Sequence, residues 1–90
     1  MADLTQRLDW ALVRSFIAVM DAGSVSAAAR ATQGHQPTIS RHLSELEAQL
    51  GVALFERTGR GVRPTAAGLE VLPAARQMQA GAEEIGRAHV

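Results

Sequence analysis

Between Ser24 and Gly51 the sequence writes two helical segments with a break too short for anything but a sharp corner. Ser24 has the short oxygen-bearing side chain that suits an N-cap. It precedes a brief Ala-rich segment, Val25 to Ala31, whose small side chains let a neighbouring helix come close. Thr32-Gln33-Gly34-His35 interrupts the pattern, with Gly34 expected to supply the backbone freedom. Gln36-Pro37 then opens a third helix, Pro37 sitting in a first turn where its missing N–H costs nothing. Ile39, Leu43, Leu46 and Leu50 recur at helical spacing and define an inward face. The opposite face holds Pro37, Thr38, Arg41, Ser44 and Glu45.

The flanking segments complete the pattern. Upstream, Leu12, Val13, Phe16, Ile17 and Met20 form one wide apolar stripe, with Asp9 as N-cap and Gly23 closing the helix. Downstream, Phe55-Glu56-Arg57 and Gly61-Val62-Arg63-Pro64 flank Thr58-Gly59-Arg60, which reads as a short hairpin with a glycine-rich tip. Thr65 caps a fourth helix that continues to about residue 88. On it Gly68, Val71, Ala75, Met78, Ala82, Ile85 and His89 follow a heptad-like repeat, the signature of a helix pairing with another helix. Pro73 is expected to kink this helix or break it near Leu69 to Leu72. The fold class is mainly α: a winged helix-turn-helix, three helices plus a short β-hairpin wing, followed by a long C-terminal linker or dimerisation helix. The expected domain spans 8–65, with the helix-turn-helix at about 24–43 and the wing at about 55–64; the linker helix spans 66–90.

The formal charge is zero, yet all nine basic residues are Arg. Arg57, Arg60 and Arg63 fall in a seven-residue stretch without an acid, so the neutral total conceals a local cationic segment. A helix exposing Gln36, Thr38 and Arg41 near its start fits a major groove: Gln can bond an adenine edge and Arg a guanine edge, both bidentately. Ser24, Ser26 and Ser40 are short hydroxyl donors suited to phosphate oxygens. The hairpin arginines suit phosphates or a narrow minor groove. Each has a plainer reading. Gln36 and Thr38 also suit a solvated helix start, and Arg41 is spaced to pair with Glu45. Arg57 is equally placed to brace the fold through Glu47 or Glu56, and the heptad stripe also fits an intramolecular core.

The run Phe16-Ile17-Ala18-Val19, Gly23-Ser24, Ala27-Ala28, Gln36-Pro37-Thr38-Ile39-Ser40-Arg41, Leu46-Glu47, Leu50-Gly51, Leu54-Phe55-Glu56-Arg57 and Thr65-Ala66-Ala67-Gly68 resembles the N-terminal domain of LysR-type transcriptional regulators. The resemblance covers roughly residues 8–90. It implies a bacterial regulator binding double-stranded DNA at an interrupted inverted repeat, as a homodimer joined through the fourth helix. It implies DNA contacts from Ser24, Ser26, His35, Gln36, Pro37, Thr38, Ser40, Arg41, Arg57, Arg60, Arg63 and Thr65. Dimer contacts are expected from Trp10, Val71, Ala75, Met78, Ala82 and Ile85. A small-molecule effector would act only through a C-terminal domain, which would begin where this chain stops. The chain is therefore expected to be the DNA-binding part of a longer protein, a natural stand-alone domain being the alternative. Four positions depart from the family pattern. His35 stands where a capping Ser or Thr is usual, Thr32 and Gly34 replace apolar residues, and Pro64 replaces a more common Leu.

Other classes fit poorly. Three aromatics, Trp10, Phe16 and Phe55, give no platform for stacking single-stranded bases. Cysteine is absent, which excludes disulfides and thiolate metal sites and fits a reducing compartment. His35 and His42 lack a third ligand, so no metal and no cofactor are expected. No apolar run spans a membrane and no signal peptide is evident, so the expected location is cytoplasmic. No nucleophile is placed beside a base, and the chain is not expected to be an enzyme. The rival reading is a winged-helix protein-interaction or dimerisation module without DNA. A cationic wing beside a polar helix face is what such a module would not need.

Overall fold

The computed structural model describes residues 9–88, with side chains described through Glu83. Four helices and one hairpin follow in order: α1 (Trp10–Ala22), α2 (Val25–Thr32), α3 (Gln36–Leu50), β1 (Phe55–Thr58), β2 (Gly61–Pro64) and α4 (Ala66–Ala88).

Local chemistry sets the boundaries. The Asp9 carboxylate accepts from the Ala11 N–H at 2.9 Å, and the Ser24 hydroxyl from the Ala27 N–H at 3.1 Å. Each satisfies a donor that the first helical turn leaves open. Gly23 and Gly51 end α1 and α3 at φ 88° and 75°, a left-handed region that glycine enters without a steric penalty. At the corner between α2 and α3 the left-handed residue is Gln33, φ 56°, and not the expected Gly34. That conformation costs a non-glycine residue about 1–2 kcal/mol. It is held by the Gln33 and Gly34 amides, which donate to carbonyls of the last turn of α2.

The core is the apolar stripe of α1 covered by three other elements. Phe16, Val19, Ala28 and Leu54 are fully buried, with Leu46, Leu12, Val13, Ile17, Ile39 and Leu43 around them. Buried Ala28 and Ala29 let α2 sit close against this core. The Phe16 and Phe55 rings lie 5.5 Å apart at 53°, a tilted contact of the kind aromatic pairs favour, joining α1 to the wing base. The hairpin is antiparallel, pairing Phe55 with Pro64 and Thr58 with Gly61. Pro64 thus stands at a strand end, where a missing N–H is tolerated.

Two features of α4 bear on what was expected of it. First, the helix runs through Pro73 without a break, so of the two expected effects the break does not occur. The carbonyl that proline leaves unpaired belongs to Leu69, an exposed residue, so solvent can satisfy it. Second, the stripe of Gly68, Val71, Ala75 and Met78 faces the protein's own core. Ala75 is 3 % exposed, and Val71 and Met78 are packed partly against the core cluster. Gly68 lies so close to the segment just before β1 that a Cβ there would overlap the Leu54 carbonyl oxygen. Small residues on this stripe serve the approach of α4 to its own bundle. Trp10, expected at a dimer contact, is half-buried and packs against the same core. Ala82, further along the stripe, is half-buried; the Ile85 side chain and His89 lie outside the described residues.

An ion pair fastens α4 to α1: the Arg76 guanidinium donates to Asp21 Oδ1 at 2.7 Å. That hydrogen bond, and then the charge of Asp21, raise the Arg76 pKa above its ordinary value. No single helix among the described residues is long and apolar enough to cross a membrane.

Candidate nucleic-acid interface

Helix α3 is the centre of the candidate site. Ile39, Leu43 and Leu46 are buried, which turns Pro37, Arg41 and Glu45 outward. At about 100° per residue, Ser40 and Ser44 form one flank of that outward face, and Thr38 and His42 the other. Gln36 and Pro37 are exposed at the helix start, and Thr38 is half-buried. His35 occupies the N-cap position but its side chain makes no capping bond, as its replacement of Ser or Thr implies. Its exposed ring therefore sits beside an open helix N-terminus.

Arg41 takes the ion-pair reading only loosely. It is 67 % exposed, with its Nε 3.9 Å from Glu45 Oε1. So exposed and long a pair holds little energy. The guanidinium stays available to a stronger acceptor.

The hairpin lies along the Ser40 flank. Arg57 Nη2 reaches the Ser40 hydroxyl at 3.5 Å, a long contact, and Ser40 is half-buried beneath it. Gly61 approaches the backbone of Gly23 and Ser24, so the wing and the start of α2 adjoin. The Ser24 hydroxyl caps α2 and lies 3.4 Å from that of Ser26, both half-buried. Arg63 pairs across the hairpin with Glu56 at 3.1 Å. Arg60 is exposed at the tip with its side chain unengaged among the described residues. The tip backbone is tied by Thr58, whose hydroxyl accepts from the Arg60 N–H at 3.3 Å and donates to the Gly61 carbonyl at 3.2 Å.

Two assignments shift. Arg57 braces against Ser40, not against Glu47 or Glu56. Glu47 instead accepts from the Leu54 and Phe55 amides at 2.7 and 3.3 Å, binding the end of α3 to the first wing strand. Thr65 is engaged as a cap. Its hydroxyl donates to the Ala53 carbonyl at 2.6 Å and accepts from the Gly68 N–H at 3.1 Å, so the cap absorbs it.

Sequence reasoning passed over the other flank of α3. There a cleft of about 380 Å³ runs between α1 and α3, with Arg14, His35, Thr38 and His42 on its walls. Ser15, the buried polar residue of α1, places its Oγ 2.7 Å from His42 Nδ1. The signal was present: a serine and an arginine beside Phe16 interrupt the apolar character of α1. Without knowing how α1 crosses α3, nothing pointed them at His42. No cluster of metal-binding side chains occurs among the described residues.

Residues 10–69 match the family described as bacterial regulatory helix-turn-helix protein, lysR family. The chain is 48% identical over 71 residues to the transcriptional regulator ClcR of Pseudomonas putida, covering 79% of this chain and 24% of that protein. It is 42% identical over 83 residues to TfdS of Cupriavidus pinatubonensis, covering 92% of this chain and 27% of that protein. It thus spans about a quarter of the length of these curated relatives. Among solved structures, the DNA-binding domain of CbnR in complex with DNA superposes with a TM-score of 0.83 at 41% identity, over 90% of this chain and 93% of that one. Oxidised OxyR of Corynebacterium glutamicum gives a TM-score of 0.89 at 33% identity, over 93% of this chain and 27% of that one. Since that family match takes in the helix-turn-helix and the wing, the chain belongs to the lysR family of bacterial regulatory helix-turn-helix proteins.

Proposed function

We propose that this chain is the sequence-reading, double-stranded DNA-binding domain of a bacterial transcription regulator, working in the cytoplasm and without a cofactor. The observation that carries this reading is the exposed face of α3. Arg41 projects from it, with Gln36 exposed at the helix start and Thr38 on one flank, opposite the buried Ile39, Leu43 and Leu46 and beside an arginine-bearing wing. The DNA complex of the 41% identical CbnR domain supports the same use of the fold. Helix α3 enters the major groove, where Gln36 and Arg41 read base edges. Arg60 and its hairpin neighbours follow the backbone or the adjacent minor groove, and Ser24 and Ser26 bond phosphates from the start of α2.

The domain acts as a homodimer on an inverted repeat, each protomer reading one half-site. Helix α4 supplies the partner contact. Because its Val71–Ala75–Met78 stripe covers its own core, the seam uses the outward stripe, on which Leu69 is 56% exposed and Pro73 and Ala80 follow at helical spacing. A small-molecule effector acts through further domains of the parent protein.

Selection of bound sequences from a random duplex pool tests the reading. The wild-type chain should enrich an inverted repeat, and Gln36→Ala should lose about 1–3 kcal/mol of preference at one base position per half-site. An unselective wild type, or a mutant profile unchanged at every position, would refute it.

A further inference from the structure

A helix in a major groove lies between two sugar-phosphate walls. The backbone-facing groups named so far, on the wing and at the start of α2, gather on the Ser40 flank of α3. Arg57 touches Ser40 there, and Gly61 adjoins Ser24. The groove's other wall faces the Thr38 and His42 flank, about 160–200° around the helix from Ser40. That flank is where the cleft between α1 and α3 opens.

The cleft is built for an anion. Arg14, His35 and His42 bring three nitrogen-bearing side chains to it, and Thr38 adds a hydroxyl; the Thr32 hydroxyl donates to the Ala28 carbonyl at 2.8 Å and the Ser15 hydroxyl engages His42, and among the described residues no carboxylate lines the cleft. Arg14 is exposed and forms no ion pair among the described residues. His42 is half-buried and fixed by Ser15, whose Oγ engages Nδ1 at 2.7 Å. When Nδ1 accepts from the Ser15 hydroxyl, the ring proton resides on Nε2, which becomes a donor for a ligand. The reach of the Arg14 fork suits a phosphate's paired oxygens.

We propose that this cleft is a second phosphate seat. Arg14, with His42 Nε2 and His35, takes a phosphodiester of the strand opposite the one the wing follows, and Ser15 is the positioning residue for the His42 ring. The proposal rests on the DNA-binding reading above and adds Arg14 and His42 to it. Helix α3 is then clamped from both walls of the groove, not from the wing side alone.

Binding of a fluorescent random-sequence 30-base-pair duplex, followed over a range of NaCl concentrations, tests it first. Arg14→Ala should lower the slope of log K against log salt by about one unit, as one lost phosphate contact requires. Arg14→Lys should restore most of the slope, and Arg14→Ala with Arg60→Ala should lose about two units. A single neutral methylphosphonate is then moved along each strand of a duplex selected by the chain. Arg14→Ala should become insensitive to neutralisation on one strand and Arg60→Ala on the other. His42→Gln should weaken the sensitivity on the Arg14 strand while circular dichroism reports an unchanged helix content.

An unaltered slope in Arg14→Ala, or two variants mapping to the same strand, would overturn the proposal and leave the parent reading standing. Inorganic phosphate that shifts the His42 ring resonances while the slope stays unaltered would assign the cleft to a free anion, and would also overturn it. A wild-type chain with no salt-dependent duplex binding would overturn both readings together.

Discussion

Gly68→Ala and Gly81→Ala are the same substitution on the same helix, and the structure gives them opposite signs. Helix propensity alone favours both, because alanine in a helix interior is better than glycine by roughly 0.5–1 kcal/mol. At Gly81 nothing lies within 4 Å of the added methyl, so that gain should appear undiminished. At Gly68 the methyl meets the Leu54 carbonyl oxygen, a backbone atom with little room to retreat. That carbonyl accepts from the Thr65 N–H at 3.0 Å, and the Leu54 N–H is held by Glu47 at 2.7 Å. Overpacking costs about 1–3 kcal/mol, and an immovable neighbour puts this site in the upper part of that range. Subtracting the propensity gain leaves a net loss of about 1–2 kcal/mol. In a domain of this size each kcal/mol moves Tm by roughly 4–8 °C, so Gly68→Ala should lower Tm by about 5–15 °C while Gly81→Ala raises it slightly. Thermal melts followed by far-ultraviolet circular dichroism, at one protein concentration because a dimer couples stability to concentration, would check this. A Gly68→Ala protein as stable as wild type would refute the claim that α4 lies in backbone contact with the chain before the wing.

Three further outcomes are expected. Arg60→Ala should weaken duplex binding evenly across sequences, because a guanidinium at a hairpin tip has no fixed geometry for base reading; competition assays with unrelated duplexes would show it. Glu47→Ala should cost about 1–3 kcal/mol in urea denaturation, since it leaves the Leu54 and Phe55 amides without their acceptor. Leu69→Glu with Ala80→Glu should sediment as a folded monomer, whereas Met78→Glu should lower Tm, because Met78 packs against its own core.

Much of this arrangement was legible in the chain. Asp9, Ser24, Gly23 and Gly51 act within one turn of their own positions, so their caps could be read from neighbours alone. The buried face of α3 followed from the spacing of Ile39, Leu43 and Leu46, and that face fixed which side chains look outward. The errors arose where a distant segment decides. Gly68 and Ala75 have the same composition whether a second protomer or the protein's own Leu54 comes close, and only the tertiary path of the chain separates the two. Pro73 reads as a breaker until the carbonyl it orphans is found on the solvent side. Arg57 had acidic partners near in sequence, yet the hairpin delivers it to Ser40.

The grip of Glu47 on the first wing strand bears on the thermodynamics of association. A recognition element that must order itself on its target loses conformational entropy at that moment, and its affinity falls accordingly. Here the wing base is fixed when the domain folds, by hydrogen bonds from two backbone N–H groups to a carboxylate on α3. The hairpin tip is fixed by the Thr58 hydroxyl. What remains to be immobilised on the duplex is the side-chain rotation of Arg60 and its neighbours, at about 0.5–1.5 kcal/mol for each. Reader helix and wing therefore arrive as one preset gauge, and a duplex whose grooves depart from its spacing must bear the deformation itself.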